Sequence, residues 1–187
     1  MSMLVLKSWL KDFRKDESGT VTVEAVLTLP LLFFALAATY EFFEVHRYAS
    51  ARDKASYTIA DMVSREMQSV NDTYMTNAKT VFDAITNDGG ADQLRISIIK
   101  YDEDEDVYSV KWSKVRGDGA WDGLQTSDVT NDRAHLPMMN DGEELIVVES
   151  ASHYPPLFDV GITRDKPVNT RIFTSPRFAP QIVWENS

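Results

Sequence analysis

Glu24 is the one charge in an otherwise apolar stretch of 20 residues, Val21 to Tyr40. Burying a carboxylate at the centre of a membrane costs about 2.5–3.5 kcal/mol by insertion scales, so an acid in such a segment is a functional candidate. Two placements answer that cost. Glu24 either lies at headgroup depth and reaches water, or it meets a cation inside a packed array of helices. A free α-ammonium would supply that cation if the chain were cut just before the apolar run. Gly19 and Thr20 stand at that point, with Glu24 four residues after Thr20.

The other candidates for chemistry are weaker. Asp102-Glu103-Asp104-Glu105-Asp106 is a run of five acids. Hard cations take oxygen ligands, so Asp102, Asp104 and Asp106 are a conceivable cation site. Their spacing lacks the glycine and distant glutamate of the calcium-binding loop, and a solvated hairpin tip is the preferred reading. The Gly117–Asp122 segment has the same ambiguity. His46, His135 and His153 are far apart and match no ligand spacing. No serine occupies a G-x-S-x-G elbow, and there is no Gly-rich phosphate loop. Trp112, Trp121 and Trp184 suit a core or a subunit contact better than ligand stacking. Nothing in this inventory points to catalysis, to a resident metal or to a cofactor.

The elements that must position these residues follow from periodicity and length. About 20 apolar residues span a bilayer as a helix, and Val21–Tyr40 meets that length. Pro30 is tolerable there, because packed neighbours re-satisfy the freed carbonyl. Tyr40, Phe42 and Phe43 suit the interfacial aromatic belt. Val45, Tyr48, Ala55, Ile59, Met62, Val63 and Val70 then fall on one helical face, which predicts an amphipathic extension to about Gln68. Asn71-Asp72 predicts a break and a new N-cap, with a helix running on until Gly89-Gly90.

Beyond that point the period becomes two. Leu94–Ile99 and Val107–Trp112 predict a hairpin around Asp102–Asp106. Leu145–Val148 reads as a buried strand, Ala151–Phe158 as a weaker one interrupted by Pro155-Pro156, and Val168–Thr174 as the last. Residues 116–142, rich in Gly, Asp and Asn, read as a long surface loop. The predicted class is α+β: a long N-terminal helix, then a small domain with an antiparallel sheet. The expected divisions are a leader at 1–19, a transmembrane helix at 20–43, an amphipathic helical region at 44–88 and a β-rich part at 89–187.

The chain has 187 residues, 43% of them hydrophobic, no cysteine and a formal net charge of −10. Disulfides, cysteine zinc sites and thiol nucleophiles are excluded. The acidity argues against a nucleic-acid partner, which calls for a basic face. Residues 1–19 carry four bases against three acids, so the acidity belongs to the rest of the chain. The bases of this end favour a cytoplasmic N-terminus, although Arg47, Arg52 and Lys54 follow the span on the other side.

On these residues, SGTVTVEAVLTLPLLFF resembles the processing region of the TadE/TadF/TadG-like minor pseudopilins of tight-adherence (Flp) pilus systems. In that family a short leader ends in Gly, and Glu is the fifth mature residue of an apolar segment that often holds a Pro. Gly19 matches the last leader residue, Thr20 the first mature one and Glu24 the fifth. Thr20 stands where typical type IV pilins have an N-methylated Phe. Thr174-Ser175-Pro176-Arg177 resembles an RPR-like ending, with Ser in place of the first Arg.

The resemblance implies cleavage after Gly19 by a prepilin peptidase and a pilin-like fold. It also implies a single-pass protein of the bacterial inner membrane with a periplasmic body. Its partners would be other pilus or pseudopilin subunits, and its role assembly of a type IVb pilus used in cell adhesion. The competing expectations are an uncleaved, membrane-anchored periplasmic binding or adaptor domain and, third, an anchored hydrolase.

Overall fold

Thr20–Ser64 forms one uninterrupted helix, α1, which continues through Pro30. The computed structural model describes residues 19–87, 89, 92–158 and 166–186. The expected leader up to Ser18, and Gly90 of the expected glycine stop, lie outside the described residues. The chain divides into two compact units at Phe42/Phe43. In the first unit Val21, Val23, Leu27, Leu31 and Phe33 are exposed. α1 is long and apolar enough to cross a membrane.

The second unit begins within α1. Its face at Ala55, Ile59 and Val63 is fully buried, as the periodicity predicts, whereas Met62 is half-buried and Val70 is buried beyond the helix end. The helix ends at Ser64, four residues before the expected Gln68. There the Ser64 carbonyl accepts a 2.7 Å hydrogen bond from the Arg177 backbone N–H, satisfying one of the carbonyls a helix end leaves over. The second helix, α2 (Asp72–Thr86), starts where expected: the Asn71 side chain accepts from the Tyr74 N–H at 3.0 Å. Its stop differs from expectation. Asn87, at φ 51°, takes the left-handed position that closes the helix, ahead of Gly89. Asparagine tolerates that conformation better than other side chains with a Cβ.

Four strands form one antiparallel sheet among the described residues: β1 (Asp92–Asp102), β2 (Val107–Arg116), β3 (Glu144–His153) and β4 (Pro167–Thr174), in the order β2-β1-β3-β4. The α+β expectation therefore stands. The proposed strand at Ala151–Phe158 is absent as a separate element. Residues up to His153 complete β3, and no strand is formed at Pro155-Pro156.

Sheet alternation sorts side chains onto two covered faces. Leu94, Ile96, Ile98, Ile146, Val148 and Ile172 pack against α1 and α2 in the main core, around Phe82 and Met75. On the other face Ile99, Tyr108, Leu145 and Val147 form a second core with Val129 and Met139. β3 is central and covered on both sides, so Leu145–Val148 is apolar at every position. The untidy pattern in β2 has a local cause. The β1–β2 register shifts between Ile98 and Ile99, leaving Lys111 as the extra residue. The bulge turns Trp112 into the main core while Tyr108 and Val110 remain with the second.

The expected surface loop at 116–142 is a correction. It contains a short helix, α3 (Thr126–Asn131), and a 3₁₀ turn at Arg133–His135. It buries Val129 and Met139, thereby covering the outer face of the sheet. The anchoring is tight at its start. An added Cβ at Gly117 would lie 2.0 Å from the Asp92 carbonyl oxygen, and Gly117 has φ +98°.

Candidate functional site

Gly19 immediately precedes α1, and its carbonyl accepts from the Val23 N–H at 3.1 Å. Its φ is not in the left-handed region, and a Cβ added there would meet nothing within 4 Å. The local backbone therefore has no need of glycine. Thr20 is the first helical residue and Glu24 lies one turn on, both exposed. Four residues of helix advance about 6 Å and return to nearly the same face. No hydrogen bond or ion pair reaches the Glu24 carboxylate among the described residues.

The acidic hairpin tip does not gather its carboxylates. Asp106 sits at φ 52°. It accepts from the Tyr101 hydroxyl at 2.7 Å and from both terminal nitrogens of Arg133. That guanidinium, and next the Tyr101 hydroxyl, holds its carboxyl below the usual range. Asp102 accepts from the Glu105 N–H at 3.2 Å within the turn. Among the described residues no group of three or more acids or histidines could hold a metal. Asp102–Asp106 is the tip of the β1–β2 hairpin. Of the histidines, His135 meets Asp132 at 2.6 Å and the His153 carbonyl accepts from the Tyr48 hydroxyl.

Two charged arrays escaped the sequence reading. The first is buried. Arg52 and Asp92 are inaccessible and their side chains approach to 3.4 Å. Lys79 reaches Asp92 at 2.8 Å and also pairs with Asp83. The Arg52 guanidinium lies 3.5 Å from the centre of the Tyr48 ring. This array ties α1, α2 and β1 together. Arg52, which the sequence offered as a flanking charge of the membrane span, is a core residue.

The second array crosses the outer face of the sheet. Arg95, Glu149 and Arg171 are direct cross-strand neighbours on β1, β3 and β4. Both arginine Nε atoms donate to Glu149, one to each oxygen, at 2.7 Å. Arg95 Nη1 donates to the Asp122 carbonyl at 3.1 Å, and Arg171 Nη1 donates to Asp132. Burial alone would push the Arg171 guanidinium down, but Glu149 and Asp132 together hold it above its usual value. The Trp121 ring lies 4.5 Å from the Arg95 guanidinium.

Beside this ladder is a cleft of about 450 Å³, lined by both arginines, by Asp128 and Asp132, and by apolar side chains including Ile99, Val129, Val147 and Phe173. Its wall is formed by α3 and the turn after it. A sequence signal for the ladder existed in retrospect: single charges at alternate positions of three strands, on the face opposite the main core. No family model, curated protein or solved structure matches this chain.

Proposed function

We propose that this chain is a minor pseudopilin-like subunit that acts in assembly of a tight-adherence type IVb pilus, after removal of its leader at Gly19 by a prepilin peptidase. The observation that carries the reading is the start of α1. A glycine that the helix start does not require stands directly before the helix, and an acid with no partner among the described residues follows on an exposed apolar surface. A peptidase needing a small residue and an assembly needing a carboxylate account for both. The role is structural. The protein sits in the inner membrane with its body in the periplasm, and other pilus or pseudopilin subunits are its partners.

Cleavage would leave the α-ammonium of Thr20 at the helix start. A neighbouring helix displaced by about one turn, roughly 6 Å, brings that ammonium level with Glu24. Each charge then loses its solvation cost to the other, within lipid or a packed helical core. The pairing also fixes the axial stagger between subunits.

The decisive measurement is the N-terminal residue and intact mass of the protein recovered from its native membrane. The expected mature chain begins at Thr20, and Gly19→Ala accumulates full-length precursor with an unaltered melting temperature. A wild-type chain retaining residues 1–19 in its membrane would overturn the reading. Glu24→Ala is expected to insert normally but to lose most co-purification with pilus subunits; undiminished recovery would remove the pairing role. The runner-up, an uncleaved membrane-anchored binding or adaptor domain, draws its support from the outer cleft.

A further inference from the structure

We propose that the cleft between the Arg95–Glu149–Arg171 ladder and α3 is a binding site for a small carboxylic acid with an apolar body. The proposal does not depend on processing at Gly19. Its volume of about 450 Å³ falls in the range of about 300–1,000 Å³ usual for small-molecule sites, where a few polar groups orient a ligand against apolar walls.

The polar groups determine the ligand's head. Most of the acceptors are already occupied: each Glu149 oxygen takes an arginine Nε, and the Asp132 oxygens take Arg171 and His135. Asp128 accepts from the Gln125 N–H at 2.9 Å. The donors are not exhausted. Arg95 and Arg171 each use Nε and Nη1, and among the described residues no protein acceptor meets either Nη2. A guanidinium fork with spare N–H groups matches a planar anionic acceptor, which a carboxylate provides. Arg95, Glu149 and Arg171 together carry one positive charge, and Asp128 and Asp132 bring the whole cleft to −1, so a carboxylate is held by the spare guanidinium N–H groups and not by net charge. A dianion such as phosphate would face Asp128, Asp132 and Glu149 with an excess negative charge.

The apolar residues determine the tail. Ile99, Val147 and Phe173 present the sheet side, with Leu124, Val129 and Leu136 opposite. An alkyl or aryl body entering between them leaves the carboxylate at the arginines. Trp121, stacked on Arg95, holds that guanidinium in place.

The test uses the full chain in lipid nanodiscs, titrated calorimetrically with 3-phenylpropionate. The expected result is saturable one-site binding, with 3-phenylpropylamine and inorganic phosphate each at least about tenfold weaker. Arg171→Gln should weaken 3-phenylpropionate about tenfold or more, the factor expected for one charge-assisted hydrogen bond. Its melting transition should remain cooperative. Absence of saturable binding, equal binding of the amine, or unchanged affinity in Arg171→Gln would each overturn the proposal. If that variant fails to fold, Leu124→Trp replaces it, filling the cleft while leaving both arginines. Lost binding then supports the site, and retained affinity overturns it.

Discussion

Asp92→Ala lowers the unfolding free energy by about 3–5 kcal/mol, the usual cost of removing one partner from a buried ion pair. The loss is large because Arg52 and Lys79 both lose this carboxylate, with Arg52 fully enclosed. Against a typical total of about 5–15 kcal/mol, this removes between about a fifth and the whole of the margin. The chemical-denaturation midpoint should fall accordingly, with little change in slope. A loss below about 1 kcal/mol would mean that water reaches the cluster and screens it.

The second large effect falls on the same aspartate from the other side. Gly117→Ala puts a methyl 2.0 Å from the Asp92 carbonyl oxygen, at a φ of +98°. The backbone strain alone costs about 1–3 kcal/mol, and relieving the collision requires the loop to withdraw. Lys79 Cε, 2.9 Å from that methyl, would be displaced as well. The expected outcome is a lower melting temperature together with faster amide exchange through residues 117–123. Unchanged exchange and stability would show that the loop can be repositioned at no cost.

The elements whose burial is one-sided were readable in the sequence. The α1 face at Ala55, Ile59 and Val63, the Asn71 cap and the strand at Val168–Thr174 each express a simple period or a simple hydrogen bond. Legibility failed where tertiary contact overrode local pattern. Val129 and Met139 are isolated apolar residues among Gly, Asp and Asn, and only the covered sheet face gives them a core to join. Lys111 disguised β2 by shifting its phase. Arg52 resembles any charge on a helix until Asp92, forty residues away, meets it. The Gly19–Glu24 spacing lies in the sequence itself. The ladder at Arg95, Glu149 and Arg171 becomes a site only when three strands set it in register.

The segment from Arg177 to Glu185 sets the timing of folding during synthesis. Its Arg177 N–H meets the end of α1, its Ile182 is buried in the main core, and its Val183 and Glu185 pair with Val70. Trp112 also donates to the Ile182 carbonyl at 2.8 Å. Residues 43–64 are synthesised long before these partners, so their apolar face has no complete covering while the chain is still emerging. The main core therefore lacks Ile182 and the Val70 bridge until residue 185 has been synthesised. Until then the apolar face of α1 is without its C-terminal cover.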